Sequence, residues 1–123
     1  KEKQLIDSAH KLIKQRFREG YHHIGSSLLT TSGNLFSAVH IEASIGRISV
    51  CAEAIALGMA AAAGDTEIDL IVAVNEAGEI VSPCGMCREL ISDYSPHAKV
   101  IMPGANKFSI IPINELLPGK YTK

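Results

Sequence analysis

Residues 51–74 read CAEAIALGMAAAAGDTEIDLIVAV, and this stretch indicates the fold class. Its first part, Cys51 to Ala63, consists mostly of strong helix formers and is followed by Gly64, a residue type that often ends helices. Its second part, Ile68 to Val74, has strand length and is apolar except for Asp69, which is typical of a buried strand. The stretch therefore predicts a helix leading into a buried strand, as in α/β proteins.

The elements on either side extend this pattern. Gln4 to Phe17 has apolar residues at helical spacing, and Gly33 lies between two apolar runs that we interpret as a β-hairpin, Ile24–Thr31 and Leu35–Ile41. Downstream we predict a short extended segment, a helix, two strands and a helical turn: Ile80–Val81, Cys84–Ile91, Lys99–Met102, Phe108–Pro112 and Asn114–Leu117. Two leading strands followed by alternating helices and strands predict a sheet between layers of helices.

Length and composition narrow the class of protein. A chain of 123 residues with 46% hydrophobic and 20% charged residues fits one globular domain, residues 1–123. The net charge of -1 and the scattered basic residues argue against a nucleic-acid partner. The apolar run around Ala54 to Ala63 is too short to cross a bilayer, and the N-terminus lacks a signal-peptide core, so we expect a cytoplasmic protein with no membrane partner.

The three cysteines lie in two short motifs. Cys51-Ala52-Glu53 opens one predicted helix, and Cys84-Gly85-Met86-Cys87, preceded by Pro83, opens another. A C-x-x-C pair alone is as typical of a redox disulfide or a structural zinc site as of catalysis. A Cys-Ala-Glu alone is more often a helix start with a buried thiol and a carboxylate that caps the backbone. Neither motif decides the function by itself.

Together the two motifs indicate a catalytic metal site. Helix N-termini in an open α/β sheet face the crevice at the strand ends, so both clusters can converge there. Three thiolates leave the fourth tetrahedral position of zinc open, as in catalytic rather than structural sites. Glu53 is then suited to take a proton from water and return it to the substrate. The spacing matches the signature of zinc deaminases. A non-enzymatic zinc or redox module remains the alternative of another class.

At these residues the sequence resembles the cytidine deaminase family, and within it the bacterial blasticidin S deaminases. The similarity runs from about Gly20 to the C-terminus and includes the segments SAVHIEASIGR, VCAEAIALG, VSPCGMCRELISDY and LLPGKYT. It implies a three-layer α/β/α fold with a five-stranded mixed sheet, a homotetramer, and one zinc per subunit bound by Cys51, Cys84 and Cys87. It also implies hydrolysis at C4 of a cytosine ring, with Glu53 carrying a proton from water to N3 and then to the departing ammonia.

The residues expected to contact the rest of the substrate differ from the cytidine deaminase pattern. Cytidine deaminases carry Asn-x-Glu on the second hairpin strand to bind ribose hydroxyls, whereas this chain has His40-Ile41-Glu42. His22 stands where those enzymes usually have a phenylalanine near the base. These changes favour the nucleoside antibiotic blasticidin S over cytidine or deoxycytidine as substrate. For His22 and His40, an ordinary polar residue at a strand end is an equally good interpretation.

Two further features follow from the resemblance. Some relatives balance the negative zinc–thiolate charge with an arginine directly after Cys-Ala-Glu, but this chain has Ala54 there. Arg88 and Arg47 are the available substitutes, although either could be a solvent-facing charge. Tyr121, near the C-terminus, stands where relatives have an aromatic residue that closes a pocket, often that of a neighbouring subunit. Its alternative is a tail residue packed on its own domain.

Overall fold

The computed structural model describes all residues, 1–123, and contains three helices and six strands. The helices are α1 (Glu2–Arg16), α2 (Ala52–Ala62) and α3 (Gly85–Tyr94). The strands are β1 (Ile24–Thr30), β2 (Leu35–Val39), β3 (Ile68–Asn75), β4 (Ile80–Val81), β5 (Lys99–Gly104) and β6 (Lys107–Pro112). Two 3-10 turns cover Gly46–Ile48 and Ile113–Leu116. None of the helices combines the length and apolar character required to span a membrane.

The strands form one mixed sheet in the order β2-β1-β3-β5-β6. Only the β3–β5 pair is parallel, because α3 connects these two strands and returns the chain to the same end of the sheet. The two-residue strand β4 pairs with the last part of β3, through Ala73 and Val74. The predicted five-stranded mixed sheet is therefore confirmed as the continuous path, and β4 adds a short sixth strand.

Helices cover both faces of the sheet, which confirms the three-layer α/β/α architecture. On one face α1 buries its apolar stripe against Leu70, Val72 and Val74 of β3. On the other face Ile71 of β3 belongs to a second buried cluster that includes residues of α2 and α3. Because successive side chains of a strand point to opposite faces, a strand covered on both sides needs apolar residues throughout. This explains the apolar residues from Leu70 to Val74, whereas Asp69, near the start of β3, pairs with Lys1 and Lys99.

The helix α1 lies unusually close to β1. A Cβ atom on Gly25 would stand 2.6 Å from the carbonyl oxygen of Ala9, so only glycine permits this packing. The hairpin that follows turns at Gly33, whose φ of 93° lies in the left-handed region, as the sequence predicted.

A carboxylate at the end of α2 holds this hairpin turn. Asp65 accepts hydrogen bonds from Thr30 Oγ1 and Asn34 Nδ2, both at 2.7 Å, and from Ser32 Oγ at 3.3 Å. The Thr30 bond is the main cause that lowers the pKa of Asp65. These bonds need the ionised carboxylate, so the stability they contribute is present above the ordinary aspartate pKa of about 3.9 and is lost as the pH falls through the lower folded value.

We expect Asp65→Ala to lower the melting temperature at neutral pH, because three donors lose their acceptor. The difference from the native protein should shrink as the pH falls through the folded pKa of Asp65. Thermal unfolding at several pH values checks this, with Asp7→Ala as a control on the exposed face of α1. A difference that stays constant down to the most acidic pH would contradict the assigned role of the charge.

Candidate active site

The three cysteines lie together at the start of two neighbouring helices. Cys51 is the N-cap of α2, Cys84 is the N-cap of α3, and Cys87 lies in the first turn of α3. Their sulfur atoms all lie within 4.8 Å of one another, and Sγ of Cys51 is 3.5 Å from Sγ of Cys84. Sulfurs that share a tetrahedral zinc at about 2.3 Å are about 3.8 Å apart. The cluster therefore has the spacing and the donor atoms that zinc requires.

The surroundings of the cluster fit an open rather than a closed metal site. Cys87 is buried, Cys51 is half-buried and Cys84 is exposed, so the cluster opens to solvent on one side. No histidine, aspartate or glutamate joins the three sulfurs as a fourth ligand. A structural zinc site normally has four protein ligands, whereas a catalytic one has three. The donor set is that of a catalytic site.

The protonation of the thiols also favours a cation at this position. Burial raises the pKa of Cys87 far above the ordinary thiol range, and burial is also the main cause that raises the pKa of Cys51. For Cys84, burial opposes ionisation, but hydrogen bonds led by the backbone N–H of Cys87 outweigh it and lower the pKa. Three adjacent thiolates are costly without a compensating charge, and a divalent cation supplies that charge.

Glu53 is a buried carboxylate without a cationic partner. Only 6% of its surface is exposed, and no lysine, arginine or histidine forms a salt bridge with it. Burial accordingly raises its pKa. Buried acids are normally paired, and an unpaired one in a cavity marks a candidate functional group. Its place in the first turn of α2 puts it beside Cys51, two residues earlier in the chain.

A cavity of about 280 Å³ lies beside Cys51, Cys84 and Glu53. Its lining residues come from the start of β1, the end of β2, the start of α2 and the β4–α3 connection: Ile24, His40, Cys51, Ala52, Glu53, Val81, Ser82 and Cys84. A larger cavity of about 480 Å³ lies between α1 and the β5–β6 hairpin, but none of the cysteines lines it. The smaller cavity therefore holds the reactive groups, with apolar walls that suit a flat ring.

The sequence-predicted substrate residues are placed at different distances from this cavity. His40 lines it, and Nε2 of its ring lies 3.2 Å from Oε2 of Glu42, which is partly exposed. His22 does not line the cavity; its Nδ1 lies 2.8 Å from the backbone carbonyl oxygen of His40. Tyr121 is 80% exposed and does not line the cavity of its own chain. The structure thus brings His40, Glu42 and His22 together and leaves Tyr121 apart.

The two arginines differ in their surroundings. Arg88 donates from Nε to the carbonyl oxygen of Pro83 at 2.9 Å and from a terminal nitrogen to that of Leu116 at 3.2 Å. It therefore holds the residue directly before Cys84 in place and makes no hydrogen bond to a sulfur. Arg47 lies exposed in the first 3-10 turn without an ion pair. Of the two, only Arg88 is structurally connected to the cysteine cluster.

We predict that Arg88→Ala weakens zinc retention. Groups that support metal ligands typically contribute 10–100-fold in metal affinity, and we expect a loss of about tenfold here. The measurement is competition with a chromophoric chelator, and Arg47→Ala provides the matched control. If Arg88→Ala binds zinc with unchanged affinity, the guanidinium does not support the metal ligands.

Sequence reasoning missed several residues of the site. Ile24, Val81 and Ser82 line the cavity only because β1 begins and β4 ends there, and the backbone N–H of His23 donates to Nδ1 of His40 at 3.2 Å. No motif marks these positions. The one available signal was that Val81 and Ser82 directly precede the Pro-Cys-x-x-Cys segment, so one face of β4 had to meet the cysteine cluster.

Comparison with known proteins identifies the family. A family described as the cytidine and deoxycytidylate deaminase zinc-binding region matches residues 1–103. A blasticidin-S deaminase from Bacillus cereus is 44% identical over 98% of this chain and 91% of its own length. A cytidine deaminase from Halalkalibacterium halodurans is 31% identical over 80% of this chain and 76% of its own.

Solved structures agree in fold. Cytidine deaminase from Burkholderia pseudomallei superimposes with a TM-score of 0.83 at 25% identity, covering 98% of this chain and 99% of that one. A variant of cytidine deaminase from Mycobacterium tuberculosis gives a TM-score of 0.87 at 16% identity, covering 99% and 98%. The sequence matches and the three-thiol cluster together lead to one conclusion. The chain belongs to the cytidine and deoxycytidylate deaminase family of zinc-dependent hydrolytic enzymes.

Proposed function

We propose that this protein hydrolyses the 4-amino group of a cytosine ring to the 4-oxo form with release of ammonia, and that blasticidin S is its preferred substrate. The observation that carries the reaction is a cluster of three thiols, two of which line one cavity together with an unpaired buried carboxylate, Glu53. The preference for blasticidin S is supported by the 44% identity to an enzyme of that name over nearly the whole chain.

The proposed chemistry assigns one task to each group. Cys51, Cys84 and Cys87 would hold zinc, which would supply a Lewis acid that makes water nucleophilic near neutral pH. Glu53 accepts a proton from the water that attacks C4 and delivers it to N3 of the ring. Glu53, again ionised, then takes the proton of the hydroxyl on C4 and transfers it to the amino nitrogen as the C4–N bond breaks, so that ammonia leaves and a C4 carbonyl remains. Ile24 and Val81 offer apolar surfaces for the ring.

His40 and Glu42 are proposed to bind the part of the substrate beyond the ring. Blasticidin S carries an acidic unsaturated pyranose and a side chain that ends in a guanidinium. Glu42 can accept hydrogen bonds from cationic amino groups or sugar hydroxyls, and the ring of His40, which lines the cavity, can donate to an acceptor on the sugar. Their positions at the edge of the cavity support this assignment.

Comparing turnover of three substrates tests the proposal. Loss of cytosine absorbance is followed in parallel for blasticidin S, cytidine and deoxycytidine, with Glu53→Ala as the inactive control. We expect the highest kcat/KM for blasticidin S. Equal or better turnover of cytidine would support the alternative, a deaminase of pyrimidine salvage, which the 31% identity to a cytidine deaminase favours.

We further propose that residues 1–123 form one catalytic domain that acts in the cytoplasm on free small molecules and inactivates the antibiotic. Ligating thiols must stay reduced, which favours a reducing compartment. The net charge of -1 does not favour a nucleic-acid substrate. The proposed assembly is a homotetramer. Large apolar side chains exposed on the single chain near the start of α2, Ile45, Ile48 and Val50, support burial by another subunit.

Within this assembly we propose that Tyr121 closes the cavity of a neighbouring subunit. An exposure of 80% argues against packing on its own domain. Deleting residues 121–123 should then lower turnover while zinc content and the unfolding temperature stay unchanged. Steady-state kinetics with metal analysis checks this, and Lys123→Ala is the control. Full activity after the deletion would show that Tyr121 does not contribute to the active site.

A further inference from the structure

Three histidines meet beside the cavity, and their contacts are not equivalent. The backbone N–H of His23 donates to Nδ1 of His40 at 3.2 Å. A neutral imidazole has one protonated nitrogen and one acceptor, so an acceptor at Nδ1 places the hydrogen on Nε2. That Nε2 lies 3.2 Å from the carboxylate of Glu42. An ionised carboxylate has no hydrogen to donate, so it can act only as an acceptor. Both contacts therefore select the same tautomer of His40.

The opposite tautomer would lose both interactions. A hydrogen on Nδ1 would face the N–H of His23, and a lone pair on Nε2 would face the carboxylate of Glu42. At about fivefold for each ordinary hydrogen bond, the two contacts together favour the Nε2–H form by about 25-fold. His40 thus presents a donor at the cavity edge, next to an acceptor on Glu42.

His22 and His23 hold this arrangement from the loop before β1. The ring of His22 donates from Nδ1 to the backbone carbonyl oxygen of His40 at 2.8 Å. The ring of His23 accepts the backbone N–H of Gly20 at 3.0 Å, and its edge packs against Phe17 at 5.3 Å between ring centroids. These contacts fix the backbone of both residues and therefore the direction of the N–H that meets His40.

The same contacts argue against a second metal site. One ring nitrogen of each histidine is already hydrogen bonded to a backbone group. The only group of potential ligands close enough to share a metal is the cysteine cluster. The histidines therefore have a positional role.

We propose that His22 and His23 are positioning residues that set the tautomer and the place of His40, so that the cavity binds a substituent that donates to Glu42 and shares the Nε2–H that His40 directs at that carboxylate. A sugar hydroxyl or an amino group next to an acceptor has this chemistry. The inference rests on the proposed function for the identity of the cavity, and it concerns binding rather than the chemical step.

The tautomer can be observed without any substrate. Protein loaded with zinc and labelled with 15N-histidine should show His40 with a protonated Nε2 and an unprotonated Nδ1 in long-range proton–nitrogen spectra, its signals being assigned by their loss in His40→Gln. His23→Ala should shift these signals toward an average of the two tautomers, and His97→Ala, on an exposed residue, should not. A protonated Nδ1 in the native protein would overturn the inference.

Kinetics separate positioning from mere structural support. His22→Ala should raise KM for the preferred nucleoside substrate about fivefold, the effect of one hydrogen bond, with kcat nearly unchanged. His22→Asn should have the native KM, because asparagine keeps a donor for the carbonyl oxygen of His40. His23→Gln should also have the native KM, because glutamine keeps an acceptor for the N–H of Gly20. If the alanine variants instead lose kcat, bound zinc and thermal stability together, the histidines have a structural role and the proposal is refuted. An inactive native protein would refute the proposed function, while the spectra would still test the tautomer.

Discussion

Replacing Glu53 by glutamine should reduce deamination by about two to four orders of magnitude, the usual contribution of a positioned general acid and base. Glutamine keeps the shape of the side chain but cannot accept a proton from water or deliver one to the ring. The effect should be on kcat, because the walls that bind the substrate remain. Zinc should stay bound at the native stoichiometry, since Glu53 is not one of the three clustered ligands.

Loss of folding is an alternative explanation that can be tested directly. Glu53 is only 6% exposed and has no cationic partner, so removing its charge relieves a desolvation cost. We therefore expect the unfolding temperature of Glu53→Gln to equal or exceed that of the native protein. Glu89→Gln, on the exposed face of α3, is the matched control for activity. Substantial turnover by a Glu53→Gln protein that contains zinc would rule out Glu53 as the proton carrier.

The grouping of the three cysteines and Glu53 could be predicted because the residues of each motif are close in sequence. Cys51 and Glu53 share one helix start, and Cys84 and Cys87 share another. The order of helices and strands then places both starts at the same crevice. The predicted sheet and layers are confirmed for the same reason, since apolar periodicity and glycine positions act over a few residues.

The rest of the site depends on contacts between distant segments. Nothing in the sequence indicates that the N–H of His23 meets the ring of His40, 17 positions away, or that Arg88 reaches the carbonyl of Leu116, 28 positions away. The observed ends of the helices and strands also differ from the predicted ones. The helix predicted for Cys84–Ile91 begins one residue later and continues to Tyr94, because Ile91 packs into the core and the next residue, Ser92, is also buried. Packing rather than local propensity sets such limits.

The second large effect is expected for Cys87→Ser. Cys87 is the most deeply buried of the three thiols and belongs to the core cluster between α2, α3 and the sheet. A serine hydroxyl does not ionise near neutral pH, so only two thiolates remain for the metal. The affinity for zinc should fall by more than the roughly 10–100-fold typical of losing a supporting group. Metal analysis after dialysis should find the variant largely free of zinc.

The thermal stability of the protein should decrease when zinc is removed. A ligand present at about 100 times its Kd stabilises the folded state by about 2.7 kcal/mol, so the native protein should unfold at a lower temperature after chelation. Cys87→Ser should already unfold at a low temperature and should not respond to a chelator. Met86→Ser is the matched control, because Met86 lies in the same helical turn, is 75% exposed and contributes no ligand. If Cys87→Ser keeps stoichiometric zinc and still unfolds at a lower temperature after chelation, the buried thiol is a packing residue. The metal would then be held by Cys51 and Cys84 with a different third ligand.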